Sequence, residues 1–214
     1  MSRLTVRESS QADFSNLRTR IAREAANLLY FGIEKEYKQA KQKAAETFGG
    51  HFLPANLEVA LELDKIAEEH EGQARQERLI DMRKEALKLM KILGKHHPVL
   101  VGSVWRGAIN HGSDIDVAVY HDEPIHILKT MKQNDFKVLN NEWITSTEHG
   151  KRKESFHIYL ESSTNEKVEI VVRSPEEAGR REKCDIYGDE ITGLCTRELR
   201  KLLEDCPTRR FIPS

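Results

Sequence analysis

One segment, residues 98–120, constrains the fold more than any other part of this chain. Its apolar residues 99–101 predict a short strand that leads into a Gly-Ser turn at residues 102–103. After a ten-residue loop, a second predicted strand carries Asp114 and Asp116, which alternate with the apolar residues Ile115, Val117 and Val119. Successive side chains of a strand point to opposite faces, so both aspartates lie on one face. The segment therefore predicts a sheet with one open, acidic face and one face covered by helices.

The residue types in this segment suit the binding of metal ions and phosphate. Two carboxylates on an open face suit hard divalent cations, which take oxygen ligands. Glycine lets the main chain approach a phosphate closely, so Gly102 and Ser103 can offer amides and a hydroxyl to one. Together these are the parts needed for phosphoryl or nucleotidyl transfer. The alternative is a surface hairpin that carries a Gly-Ser pair and two exposed aspartates.

The spacing of Gly-Ser, ten residues and Asp-x-Asp resembles the signature of the DNA polymerase beta-type nucleotidyltransferase superfamily. The resemblance includes the Arg-Gly pair at residues 106–107 and the Gly-Ser-Asp-Ile-Asp run at residues 112–116, and it covers residues 80–175. It looks most like small archaeal and bacterial nucleotidyltransferase domains, and like the head domain of archaeal-type CCA-adding enzymes. It implies an α+β fold, in which a polymerase-beta-like domain has a mixed sheet with helices on one face.

The resemblance also implies a metal site. In the family, the two aspartates of the Asp-x-Asp strand, here Asp114 and Asp116, bind two Mg²⁺ ions, and a third carboxylate on a neighbouring strand completes the site. Glu169 fits the third position, because it faces away from the apolar side of its own strand, and burying an unpaired carboxylate is costly. A solvated edge-strand glutamate is the alternative reading of Glu169, and Glu161 is the next candidate for the third acid.

The same resemblance assigns a phosphate site and an activity. Gly102 and Ser103 would hold the β- and γ-phosphates of an NTP, and Arg106, predicted in an open loop, would bind the triphosphate as well. Trp105 stands where the family commonly has a small residue. The implied activity is a magnesium-dependent transfer of a nucleoside monophosphate from an NTP to a hydroxyl acceptor, which is RNA, a protein or a small molecule. The alternative is a catalytically silent nucleotide- or nucleic-acid-binding regulatory module on the same fold.

Composition limits the classes of partner. The formal net charge of −1 gives no overall basic field, so a partner with many phosphates has to be bound by a local patch. The sequence has no apolar run long enough to span a bilayer, and residues 1–10 lack the apolar segment of a signal peptide. Three cysteines without paired metal-ligand spacing indicate a reduced, cytoplasmic protein. None of the nine histidines shows the spacing of a metal motif, and His96 and His97 are predicted in a turn.

Two parts are predicted: a helical N-terminal region over residues 1–75, and a nucleotidyltransferase domain with C-terminal helices over residues 76–214. Apolar residues at helical spacing predict helices over residues 14–30 and 34–48, a third that is capped by Asn56 and separated near Gly72 from the next, and a fourth over residues 76–93. The chemistry-bearing motifs all follow Val101. The helical region is therefore expected to select the acceptor or to pair with a second copy in a homo-oligomer, and simple packing support for the catalytic domain is the alternative.

Three further strands are predicted over residues 142–146, 155–161 and 167–172. His157 and Tyr159 are expected on the open face with the carboxylates, where they can stack on a base or bond a sugar; ordinary half-exposed strand positions are the alternative. The basic residues 151–153 are predicted in a hairpin loop. A helix is predicted to begin after Ser174, and the tail from Pro207 is expected to have little to hold it.

Overall fold

The computed structural model of this protein describes residues 4–134, 136–148, 151–180 and 182–213. The chain divides into two compact units. The first comprises Met1–Gln73 with the short segments Asn110–Gly112 and Cys184–Asp189. The second comprises Ala74–Ile109, Ser113–Lys183 and Glu190–Ser214. None of the helices among the described residues is both long enough and apolar enough to cross a membrane.

The first unit is helical. It contains α1 (Leu4–Tyr30), α2 (Tyr37–Thr47) and the first part of α3 (Asn56–Ile92). Much of its core consists of small side chains, which let helix backbones approach closely: Ala22, Ala25, Ala26, Ala40, Ala44, Ala45 and Ala67. α1 ends just before Gly32, which has a positive φ of 68°. This confirms the predicted break after residue 30.

Helix α3 is interrupted at Gly72, whose φ of 52° and ψ of −133° are not helical. The predicted break at this glycine is therefore confirmed. The predicted cap at Asn56 is wrong, because its side chain accepts a hydrogen bond from Lys41 Nζ (2.7 Å) instead. The Glu58 carboxylate caps the helix by accepting the Ala55 amide N–H at 2.6 Å.

The second unit contains a six-stranded mixed sheet in the order β3-β4-β5-β2-β1-β6. Its strands are β1 (Val99–Val101), β2 (Ile115–Tyr120), β3 (Lys137–Glu148), β4 (Lys151–Glu161), β5 (Lys167–Arg173) and β6 (Leu194–Cys195). The β2–β5 pair is parallel, and the other strand pairs are antiparallel. The helices of this unit are the second part of α3, α4 (Gly102–Arg106), α5 (Pro124–Gln133) and α6 (Thr196–Asp205).

One face of the central strands forms the core with the helices. The alternating residues Ile115, Val117, Val119, Phe156, Ile158, Leu160, Val168, Ile170 and Val172 belong to a single buried cluster. The same cluster includes Leu89 of α3, Ile127 of α5 and Leu199 of α6. The mixed sheet with helices on its apolar face, and the helical N-terminal region, agree with the predicted α+β fold.

Two local predictions differ from the structure. The basic residues 151–153 lie in strand β4 rather than in a hairpin loop, and the Lys153 ammonium pairs with Glu182 at 2.9 Å. After Ser174 the chain forms only a short 3₁₀ turn, Pro175–Glu177, instead of a helix. Gly179, with a positive φ of 82°, follows this turn.

The expectation that the tail from Pro207 has little to hold it is wrong, because a buried arginine forms hydrogen bonds with it. Arg83 of α3 is fully buried, and its guanidinium donates to the carbonyls of Val104 at 3.0 Å and Trp105 at 2.9 Å. It also donates to the carbonyls of Pro207 at 2.6 Å and Arg209 at 3.0 Å. Burial lowers the pKa of Arg83 to about 10. The group therefore stays charged near neutral pH and is balanced by four carbonyl dipoles.

Candidate active site

Two neighbouring strands bring the three predicted carboxylates to the open face of the sheet. In the parallel β2–β5 pair, Asp116 lies directly opposite Glu169. Neighbouring strands are about 4.8 Å apart, so the two residues are adjacent across the sheet. Asp114 lies two residues before Asp116, immediately before β2 begins. The structure thus brings all three acids together, and their role as a catalytic and metal-binding set stays a prediction.

The Gly-Ser turn lies against the same carboxylates. Val101, the last residue of β1, is paired with Asp116, so the next residue, Gly102, follows directly beside that aspartate. Gly102 has a positive φ of 70°, and a Cβ at this position would overlap the carboxylate of Asp116. Only glycine combines this conformation with such a close approach. The position of the acid and the residue type of the turn are therefore coupled.

The predicted turn is the first turn of a short helix. α4 begins at Gly102, and no described side chain caps it. The first amides of a helix have no intrahelical acceptor, so those of α4 are open to another partner. The Ser103 hydroxyl has no hydrogen-bond partner among the described residues, although its backbone carbonyl accepts the Ala108 amide at 3.1 Å. These groups are of the kind that binds a phosphate oxygen.

The sequence predicted Arg106 in an open loop, but the structure places it elsewhere. It is the last residue of α4 and is 3% exposed. Its guanidinium donates to the carbonyl of Phe211 at 2.9 Å and lies 4.4 Å from the ring centroid of Trp105. The position is buried because the C-terminal segment covers it. This guanidinium is therefore engaged by the chain's own tail, and its predicted contact with a triphosphate is not supported by its position.

Burial and mutual repulsion both act against the charged forms of these carboxylates. Burial, followed by the charges of Glu169 and Asp114, raises the pKa of Asp116 to about 8. Burial is also the main cause that raises the pKa of Asp114; Lys167 opposes the shift and Glu169 adds to it. Burial disfavours the charged form of an acid, and nearby negative charges do the same.

Glu169 is held by the neighbouring strand. His157 Nδ1 bonds to Glu169 Oε1 at 2.5 Å, and the other ring nitrogen of His157 bonds to the Ser155 hydroxyl at 2.7 Å. Burial, followed by the negative charges of Glu169 and Glu142, raises the pKa of Tyr159 to about 12, and hydrogen bonding of its hydroxyl to these acids adds to the shift. The expectation that His157 and Tyr159 share the open face with the carboxylates is confirmed. Both side chains therefore interact with Glu169.

Arg78 of α3 is a site-positioning residue that sequence reasoning missed. Its guanidinium donates to the carbonyl of Ser113, the residue before Asp114, at 3.1 Å. It also forms an ion pair with Glu166, just before β5, at 2.7 Å. Arg78 thereby ties together the two segments that lead into the acidic strands. Only the fold brings these segments to one helix, so no local pattern around Arg78 could have shown this role.

Residues 83–188 match the family model of the nucleotidyltransferase domain. No curated protein matches the chain. A cytoplasmic RNA terminal U-transferase of known structure is 18% identical over 55% of this chain and 34% of that chain, with a TM-score of 0.32. The structure of Cid1 in complex with its short product ApU is 17% identical over 51% of this chain and 35% of that chain, with a TM-score of 0.33. This chain thus spans about a third of the length of these structures.

The matched residues contain the parts of the candidate site described above. They include the turn at Gly102, both aspartates, and the β2–β5 register that places Glu169 beside Asp116. The sequence motif and the family model agree that residues 83–188 of this chain are a nucleotidyltransferase domain.

Proposed function

We propose that this protein transfers a nucleoside monophosphate from an NTP to a hydroxyl acceptor with the help of two Mg²⁺ ions. The observation that carries the proposal is the register of β1, β2 and β5. It places Asp116 between Glu169 on one side and the Gly102 turn on the other. Carboxylates and a phosphate-binding turn that share one position are what a metal–nucleotide complex requires.

The residues present fit Mg²⁺. Asp114, Asp116 and Glu169 offer only oxygen ligands, and Mg²⁺ prefers such ligands. No basic side chain is among the causes that shift the pKa of Asp116, which burial and two carboxylates raise to about 8. A divalent cation would neutralise this cluster and return the carboxyl group to its ionised form.

Each carboxylate then has a role. Asp114 and Asp116 would hold both ions, and Glu169 would complete the site on the acceptor side. When bound, the ions supply Lewis-acid stabilisation of the phosphate charge and lower the pKa of the acceptor hydroxyl. His157 and Tyr159 hold Glu169 in position, because hydrogen bonds to a ligand's second atom fix its orientation.

The turn binds the leaving part of the nucleotide. Gly102 and Ser103 would donate their amides, and Ser103 its hydroxyl, to the β- and γ-phosphates. Arg83 supports this arrangement by holding the carbonyls at the other end of α4, those of Val104 and Trp105. The buried Arg83 guanidinium thus stabilises the C-terminal end of α4, and the amides at its N-terminal end would face the nucleotide.

The acceptor is proposed to be chosen outside the carboxylate site. The helical first unit selects it, or pairs with a second copy of the chain; RNA, a protein and a small molecule are the three acceptor classes that fit a hydroxyl nucleophile. The reaction takes place in the cytoplasm, where NTP and Mg²⁺ are abundant. No membrane partner is proposed.

The test is transfer of label in a cell extract. The protein is incubated with Mg²⁺, an extract and each of four NTPs labelled at the α-phosphate. We expect one class of extract molecule to become labelled, and we expect Asp116→Asn to reduce labelling at least about 1,000-fold, because the acid holds both ions. Asp81→Asn is the matched control, since this exposed aspartate of α3 is outside the site and pairs with Lys84 at 2.9 Å.

The same experiment distinguishes a transferase from a catalytically silent regulatory module. A catalytically silent regulatory module would bind NTP with no labelled product in any extract. Equal loss in Asp116→Asn and Asp81→Asn would show that the effect is general destabilisation. Full labelling by Asp116→Asn would exclude the proposed site.

A further inference from the structure

Three histidines converge in the second unit, away from the carboxylates. His96 ends the 3₁₀ turn Gly94–His96 before β1, His121 is the residue after β2, and His126 lies in the first turn of α5. One ligand nitrogen from each ring lies within 4.8 Å of the corresponding nitrogen of the other two. The first two rings are partly buried and the third is exposed. Three imidazoles from three separate elements therefore share one small volume.

The spacing of the rings is that of imidazoles around a single ion. The ring centroids are 4.8 Å apart for His96 and His121, 5.7 Å for His96 and His126, and 5.3 Å for His121 and His126. With zinc–nitrogen bonds of about 2.0–2.1 Å at tetrahedral angles, the centroids of two imidazoles lie about 5.2 Å apart. The three observed separations lie on both sides of this value. The ligand nitrogens lie within 4.8 Å of one another, and those around one zinc ion lie about 3.3 Å apart, so binding an ion requires rotation of the side chains.

We propose that His96, His121 and His126 bind one Zn²⁺ ion. Imidazole nitrogen is a preferred ligand of zinc, whereas Mg²⁺ takes oxygen. A set of three histidines leaves a fourth position of the tetrahedron for water or another ligand. The assignment does not depend on the proposed transfer reaction.

One contact competes with the ion. His121 Nδ1 accepts the backbone N–H of Glu123 at 2.8 Å, so in the neutral ring that nitrogen carries the lone pair and Nε2 carries the proton. Zinc has to take the lone pair from this amide or shift the proton to Nδ1. Either change breaks one hydrogen bond, which lowers affinity by about 10-fold. Three zinc–nitrogen bonds outweigh one hydrogen bond.

The surroundings of His96 disfavour its charged form. Burial, followed by the neighbouring His121 and His126, lowers the pKa of His96; Lys95 and His97 act in the same direction. A metal requires the neutral form of each imidazole.

The site is distinct from the carboxylates. Both lie on β2, with Asp116 near the beginning of the strand and His121 just after its end. At about 3.3 Å per residue, five residues separate them by about 17 Å. A zinc ion here would join the turn before β1, the end of β2 and the start of α5. It would thus fasten the strand that carries the aspartates.

The test uses the full chain, stripped of metal with a chelator and titrated with Zn²⁺ in excess Mg²⁺. We expect about one zinc ion per chain, a raised melting temperature, and X-ray absorption with nitrogen neighbours at about 2.0–2.1 Å. His126→Gln should weaken binding by about 100-fold or more, since loss of an outer-shell partner alone costs about 10–100-fold. His97→Asn is the matched control: His97 is outside the cluster, and asparagine tolerates its positive φ of 48°.

Each outcome decides the proposal. Wild-type affinity in His126→Gln overturns it, as does the absence of stoichiometric binding to the native chain. Loss of zinc in Asp116→Asn, with retention in His126→Gln, would assign the ion to the carboxylates and also overturn it. Because His126 is exposed, its variant is expected to keep the metal-free melting temperature of the wild type. If His126→Gln does unfold, X-ray absorption of the native zinc complex still decides, since oxygen ligands would exclude the cluster.

Discussion

The two ends of strand β2 show how one physical cause prepares two different sites. At the beginning of the strand, burial is the main cause that raises the pKa of Asp116 to about 8. At the other end, burial is the main cause that lowers the pKa of His96, which packs against the ring of His121. Burial disfavours charge, so an acid gains a proton and a base loses one. The result is a protonated oxygen ligand at one end and a free nitrogen lone pair at the other.

This difference has a chemical consequence. A cation that binds the aspartate end has to displace a proton. Its binding is favoured because it relieves the repulsion among three carboxylates. A cation at the histidine end has to displace one hydrogen bond, that between His121 and the Glu123 amide. Oxygen ligands suit Mg²⁺ and imidazoles suit Zn²⁺, so the two ends are expected to bind different ions without competition.

The sharpest variant for separating the two ends is Gly102→Ala. The added Cβ would overlap the Asp116 carboxylate and displace it from the metal position. We expect Mg²⁺-dependent transfer to fall about 100-fold, as for loss of a preorganised group, and zinc affinity at the histidine end to stay unchanged. Gly188→Ala is the control, because Gly188 has a similar φ of 75° but no atom within 4 Å of the added Cβ. Equal losses in both variants would attribute the effect to backbone strain alone.

Ser103→Ala tests the phosphate side of the aspartate end. Its hydroxyl has no partner among the described residues, so its removal should leave the melting temperature unchanged. Loss of a hydrogen bond to a charged phosphate costs about 1.5–3 kcal/mol, which weakens NTP binding about 10- to 100-fold. Isothermal titration with a non-hydrolysable NTP measures the change. An unchanged affinity with a lowered melting temperature would make Ser103 a structural residue.

Asp116→Asn should raise the stability of the metal-free protein at high pH, although it lowers the transfer activity. The pKa of Asp116 rises on folding from 3.8 to about 8, so between these values the folded state holds a proton that the unfolded state has lost. The free energy of unfolding of the metal-free protein therefore falls as pH rises from about 4 to about 8. The asparagine variant escapes this loss, and above pH 8 it should be more stable by ~2 kcal/mol or more.

Urea unfolding with a chelator present, at about pH 5 and about pH 9, measures this difference. The advantage of Asp116→Asn should grow with pH, and saturating Mg²⁺ should reduce it in the wild type. A pH-independent difference would contradict the raised pKa. His126→Gln provides the contrast, because it leaves the aspartate end unchanged and should follow the pH profile of the wild type.

The alternation of β2 and β5 could be predicted from the sequence because it is a local property. A period of two residues along each strand already assigns Asp114, Asp116 and Glu169 to the open face. The predicted fold class follows from the same pattern and from the resemblance around Gly102. The register between β2 and β5 could not be derived in this way. It depends on how the intervening chain returns to the sheet, and the spacing of individual residues does not determine that.

Contacts over long sequence separations explain the remaining errors. Arg106 was expected in the open, but the partner that buries it, Phe211, is 105 residues away. The histidine cluster has the spacing of no metal motif, since His96 precedes β1 and His121 follows β2. Such contacts exist only after the sheet has formed. Reasoning from residue types therefore located the aspartate end of β2 and missed the histidine end.

The buried guanidinium of Arg83 has a consequence for how the chain is made. Two of its four carbonyl partners, those of Pro207 and Arg209, follow it by 124 and 126 residues. At a synthesis rate of about 5–20 residues per second, they are added roughly 6–25 s after Arg83. During that interval a charge destined for the interior has only the two carbonyls of α4 to bond. Helix α4, which begins with the Gly102 turn, is thus fully supported only late in translation, when residues 207–209 bond to Arg83.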